Sequence, residues 1–328
     1  MSRNFDELNN KHVLLCASSI ACGKETRGKN THITRLVKQS VLAFLLWSSI
    51  LTTAFGSSPV AALTQAQFDK LLAELKAIYE ERQPDVVLFG ENHCQVQPYQ
   101  FLAAEATIAM HAATGFVAGL VEEPADGQRY YDHLIAMSQI KNPTLQQQQA
   151  AKAFEEGIIN ADIKSSAVDC PPGVTRSAAI ADVTLAKRLA AHDMAYQASD
   201  YMGDASDALR DQFAKTHDPE LRKQFNAVRL DERRAAKNIR AAISVGRVFV
   251  IRGTDHFLNK SDTAMRENLA GLKVLTFIFD YTGHTVRDDE MRIKREGVYA
   301  FNPPDYVIDV TPEHAGVYPW SETKSVSR

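Results

Sequence analysis

Val86-Val-Leu-Phe89 is a run of four apolar residues, bounded by Pro84 and Asp85 before it and Gly90 after it. Too short for a helix and flanked by breakers, it reads as a strand buried on both faces. Gly90-Glu91-Asn92-His93 follows directly. Such a strand belongs inside a sheet covered by helices on both sides, and ligands then bind outside the strands' carboxyl ends. Glu91 and His93 are two residues apart, so they project together from an extended chain. They are candidates for a metal site or an acid/base pair.

The same pattern recurs along the chain. Thr64, Gln65 and Gln67 open a helix with Phe68, Leu71, Leu72, Leu75 and Ile78 at helical spacing. Gln97 to Thr114 reads as a second helix, burying Phe101, Leu102, Ile108 and Met110. Phe116 to Val121 is then a strand that ends in Glu122-Glu123-Pro124. Residues 126–157 are expected to be helical, with the Gln146–Gln149 run on a solvated face. Ile158 to Val168 is expected as a third strand, ending in Asp169-Cys170-Pro171. Segment 177–224 reads as a helical insertion, and a helix bearing Asp231 to Arg240 runs on to Gly246. Arg247 to Ile251 is a further strand, ending in Arg252-Gly253-Thr254-Asp255-His256; Lys273–Phe279 and Tyr306–Val310 are the last two. Strands alternating with helices predict an α/β fold: an open, mostly parallel sheet flanked by helices, with a helical insertion before the Gly-x-x-His strand.

Residues 1–34 are polar and mixed in charge. Arg35 and Lys38 precede the apolar run Val41–Phe55, which is short for a membrane span and suits the core of a signal peptide. Val60-Ala61-Ala62 fits small-residue cleavage. Residues 1–62 are therefore expected to be a leader and 63–328 one α/β domain. The chain is expected to be exported to the periplasm or secreted, or to be anchored to a membrane through 41–55. Of the four cysteines, Cys94 and Cys170 remain in the domain and could pair in an oxidising compartment.

Several chemistries lose ground. A net charge of −3 gives no electrostatic case for nucleic acid. Dinucleotide, P-loop and serine-elbow motifs are absent from the sequence. The strand ends instead gather Glu91, His93, Glu122 or Glu123, Asp169, Asp255 and His256. Arg234 and Asn238 sit one helical turn apart on the preceding helix. Glu91, His93, Glu122 and His256 form a nitrogen and oxygen ligand set for a divalent metal. The same residues allow metal-free acid/base chemistry. Asp169 and Asp255 are candidates for orienting the histidines. His111 and His192 fall on helices and are expected at the surface.

Four features stand in a fixed order: Gly90-Glu91-Asn92-His93, Glu122 (or Glu123), Arg233 or Arg234 with Asn238, and Gly253-Thr254-Asp255-His256. This order resembles the superfamily of TIKI and TraB proteins, haem-binding ChaN lipoproteins and erythromycin-esterase-like hydrolases. Cys94 and Asp255 depart from its pattern. The resemblance implies a metal-assisted peptidase or esterase at one extreme and iron or haem binding at the other. Under the first, a metal on Glu91, His93 and His256, or His93 as general base, activates water against a peptide, ester or small-molecule substrate, and Arg234 steadies the oxyanion. Under the second, haem needs an exposed ligand, with Tyr99, Tyr130 and Tyr131 as candidates. A third reading is a secreted effector that keeps the fold.

Overall fold

Thr64 starts the first helix, α1 (Gln65–Arg82), with a reciprocal cap: its hydroxyl accepts the Gln67 N–H while the Gln67 side chain accepts the Thr64 N–H. Leu71, Leu75 and Tyr79 form its buried stripe. In this computed structural model the described residues are 63–92, 95–166, 170, 172–200, 204–280 and 302–321. They belong to one compact unit, Leu63–Arg328. His93, Cys94, Asp169 and the segment 41–55 lie outside them.

From α1 the chain runs through β1 (Val86–Glu91), α2 (Gln97–Leu102), α3 (Glu105–Ala113), β2 (Phe116–Pro124), α4 (Gln128–Ser138), α5 (Leu145–Ser166), α6 (Pro172–Ala191) and β3 (Ala195–Asp200). The hairpin α7 (Asp204–Thr216) and α8 (Pro219–Arg229) follows, then α9 (Arg233–Ile243), β4 (Arg247–Gly253) and the short helices α10 (Asp255–Leu258) and α11 (Met265–Asn268). β5 (Val274–Asp280), β6 (Tyr306–Asp309) and β7 (Gly316–Pro319) close the order. Among the described residues the strands form one sheet in the order β3-β2-β4-β1-β5-β6-β7, parallel except for β7 against β6. This is the expected α/β architecture.

Three local expectations are corrected. The described part of the segment expected as a strand, 158–166, is helical: Ile158, Ile159 and Ile163 lie on α5, with Ile158 and Ile159 buried. The third strand is Ala195–Asp200, inside the segment read as helical from 177 to 224. Gln97–Thr114 is two helices, broken at Ala103 and Ala104.

The strands' alternation sorts the core into two layers. Val87, Phe89, Phe249 and Ile251 pack with Leu75, Tyr79, Phe101 and Leu189 on one face. Val86, Leu88, Val248 and Val250 pack with Ala235, Ile239 and Phe257 on the other. β1 lies between β4 and β5, and the chain departs from it toward both edges of the sheet. That is the switch point where such sheets open a crevice. His111 is not at the surface. It is wholly buried, 4.5 Å from Phe249 in a stacked arrangement and 5.2 Å from Phe116, ring centre to ring centre.

Candidate active site

β1 and β4 pair in register, Gly90 opposite Arg252 and Glu91 opposite Gly253. The two motifs are thus neighbours at one sheet edge. The contact is close: Thr254 donates both its backbone N–H (2.9 Å) and its hydroxyl (3.0 Å) to the Glu91 carbonyl. A Cβ on Gly90 would stand 3.1 Å from the Thr254 hydroxyl and 3.2 Å from its Cα. Glycine is required here by this approach and not by a positive φ.

His256 sits on α10, just past β4, and is 1% exposed. Its Nε2 lies 2.9 Å from Glu122 Oε1, and its Nδ1 meets Glu232 Oε1. Glu122 Oε2 accepts the Gly253 N–H at 2.6 Å, which ties the end of β2 to the end of β4. Glu232, also buried, has its second oxygen 3.4 Å from the buried Arg252 guanidinium. The chain therefore holds four ionisable side chains in one line: Glu122, His256, Glu232 and Arg252. Burial alone pulls the His256 pKa down. The charges of Glu122 and Glu232 outweigh that, Arg252 opposes them, and the net is a rise to about 9. His256 is thus an imidazolium at neutral pH.

Glu91 is 2% exposed and continues the Val87 and Phe89 side of β1. Tyr99 on α2, half-buried, faces it. Burial raises the Tyr99 pKa well above its ordinary value, and the charges of Glu91, Glu122 and Asp182 and a hydrogen bond to Glu91 add to the rise. The charges of both Glu91 and Glu122 act on Tyr99, and its raised pKa keeps it a neutral O–H donor.

The remaining expected residues separate. Glu123 turns away from His256: its charge acts on Tyr131 and Tyr196. Arg234 and Asn238 are exposed on α9, and the guanidinium in the site is that of Arg252. Asp255 pairs with Arg229 at the base of the helical hairpin, 3.3 Å away. His192, in the turn just past α6, meets Glu105 at the start of α3 at 2.6 Å. Tyr131 is buried and its O–H donates a hydrogen bond to Asp182 at 2.6 Å, while Tyr130 accepts from Arg129 at 2.8 Å. Glu232 and Arg252 were not singled out from the sequence. The available signal was Arg252 itself, a charge placed between Val-Phe-Val-Ile and Gly253.

The metal expectation is not supported. His93, one of the four expected ligands, lies outside the described residues. Among the described residues no group of three or more His, Cys, Asp or Glu side chains is disposed to hold an ion. What the arrangement offers instead is a proton held on His256, a neutral donor on Tyr99 and two carboxylates at a strand edge.

No protein-family model matches the chain, and no curated protein does. Solved structures similar to it include the type III effector HopBA1, at 12% identity and a TM-score of 0.38, over 69% of this chain and 88% of that one. ChaN of Campylobacter jejuni, whose structure is described as showing cofacial haem binding, is similar at 15% identity and a TM-score of 0.38, over 63% and 86%. Likeness this distant leaves the function to be read from the site itself.

Proposed function

We propose that the chain hydrolyses ester or peptide bonds with its own side chains, at the carboxyl edge of the sheet. The observation that carries this is the buried His256 ring held between Glu122 and Glu232, just past the strand that pairs with the one ending in Glu91. Burying that many charges is poor economy for stability, since apolar residues of similar volume do as well or better. Such clusters with perturbed pKa values in a cleft mark functional sites.

The chemistry follows from which group carries which proton. Glu91 takes a proton from water as the water oxygen bonds to the carbonyl carbon. The carbonyl electrons move to oxygen, and the Tyr99 O–H donates a hydrogen bond to that oxyanion. On collapse the C–O or C–N bond breaks, and His256 Nε2–H protonates the leaving alcohol or amine. The proton on Glu91 then returns to His256 through solvent. His93, two residues beyond Glu91, is a second candidate for the base.

Haem binding is the competing reading; of its candidate ligands, Tyr99 is half-buried beside Glu91 and Tyr130 is half-buried on α4. Tyr131 is 3% exposed. An oxidising compartment is the proposed setting: Cys170 is in a disulfide whose partner lies outside the described residues, and segment 41–55 has an export signal's character. Among the described residues no helix is long and apolar enough to cross a membrane.

The test is a panel of p-nitrophenyl esters and peptide anilides with the full chain and His256→Asn. Hydrolysis by the wild type that falls about 10²–10⁴-fold in the variant supports the proposal. Equal rates in both, or a stoichiometric Soret band on adding haemin with no hydrolysis, would overturn it.

A further inference from the structure

Glu232 and Arg252 belong to neither sequence motif, yet both are charged and only 1% exposed. Glu232 immediately precedes the first turn of α9. A carboxylate there ordinarily accepts N–H groups of its own helix, with help from the helix dipole. Glu232 makes no such bond. Its side chain turns inward to His256 Nδ1 and Arg252. The main chain of Glu232 is pinned at both ends: its N–H donates to the Thr263 carbonyl at 2.8 Å, and its carbonyl accepts the Ala236 N–H at 2.8 Å. Arg252 stands on the face of β4 where Val248 and Val250 pack against α9, so an arginine replaces what is otherwise an apolar position.

The consequence is geometric. An imidazole ring has two distinct nitrogens, and the partner of one decides where the other points. Glu232 occupies Nδ1. The Nε2 edge is therefore turned toward Glu122, whose side chain is 17% exposed and is the member of the line that reaches solvent. Arg252 lies on the far side, its guanidinium paired with the second oxygen of Glu232 at 3.4 Å.

We infer that Glu232 and Arg252 are positioning residues: Glu232 fixes the ring of His256 so that Nε2–H faces Glu122, and Arg252 fixes Glu232. What Nε2–H then does rests on the hydrolase reading above; the orientation does not.

The test is NMR of the resting full chain labelled with ¹⁵N-histidine, with the His256 resonances identified by their loss in His256→Gln. The wild type is expected to show a slowly exchanging proton on His256 Nδ1, far downfield. Glu232→Gln is expected to lose that signal and to broaden or split the ring resonances, and Glu232→Asp to restore them in part. Arg252→Met is expected to act in the same direction with a smaller shift. On an ester that the wild type cleaves, Glu232→Gln lowers kcat at least tenfold with KM within twofold. If Glu232→Gln fails to fold, Glu232→Met/Arg252→Met replaces the buried pair by apolar side chains of similar length and is read in the same way. His256 ring signals unchanged from wild type in either variant overturn the inference. Altered ring signals in a chain that cleaves no ester uphold the positioning and remove the hydrolase reading.

Discussion

His111 is the residue whose chemistry most clearly links sequence, packing and stability. It is wholly buried among Tyr79, Phe89, Phe116 and Phe249. Its Nε2 meets the Tyr79 hydroxyl at 3.1 Å, and its Nδ1 has no hydrogen-bond partner among the described residues. Burial lowers its pKa from 6.5 to about 3, so the folded chain holds it neutral. The folded value lies below the unfolded one. The stability this contributes is fully present above pH 6.5 and is lost as the pH falls toward 3, because the unfolded chain binds the proton first. At about 1.4 kcal/mol per unit the whole loss is about 5 kcal/mol, of which about 2 kcal/mol falls between pH 7 and pH 5. The experiment is urea unfolding at pH 7 and pH 5 for the wild type and His111→Leu. Every other titrating group is common to both chains and cancels in the difference. The wild type is expected to lose about 2 kcal/mol more than the variant. An equal loss in both would show that His111 does not titrate in this window and that its burial has been misjudged.

Three further outcomes follow from contacts. Gly90→Ala forces Thr254 or Ile278 to move a few tenths of an ångström. It should lower stability by about 1–3 kcal/mol, measured by thermal unfolding, and should reduce hydrolysis through the displaced Thr254 loop. Tyr131→Phe removes one of two hydroxyls that hold Asp182, the other being Tyr196 at 2.9 Å. It should cost about 1–3 kcal/mol, and an unchanged midpoint would show that Tyr196 alone suffices. His256 has its pKa raised to about 9. The stability gained from its clasp should therefore be complete below pH 6.5 and lost as the pH rises through 9, and this alkaline slope should vanish in His256→Gln.

The fold was legible because its central strands are written as unbroken apolar runs. Val86–Phe89, Phe116–Val121 and Arg247–Ile251 are strands, as their composition required. β3 was not legible. It lies at the sheet edge, and Ala-Tyr-Gln-Ala-Ser-Asp carries no apolar run. Ile158–Val168 misled through its β-branched residues, although Ile159 and Ile163 are four apart and share a helix face. In the site, residues at strand ends could be found, since the sheet topology fixes where they emerge. Glu122 and His256 meet for that reason. Glu232 could not, because a glutamate at a helix start ordinarily caps or faces solvent, and only tertiary contact turns it inward. Arg234 and Asn238 share a helix face, but the fold leaves that face exposed. A histidine on a helix ordinarily faces solvent, and the four aromatic rings that surround His111 are scattered along the sequence.

Attack of water on the carbonyl with Glu91 as base is read out by turnover of a cleaved ester in H₂¹⁸O, with the wild type and Glu91→Gln compared under single-turnover conditions. One ¹⁸O atom is expected in the released acid, none in the alcohol, and a rate at least about a hundredfold lower in the variant. Unlabelled acid, or a Glu91→Gln chain as fast as the wild type, would contradict it.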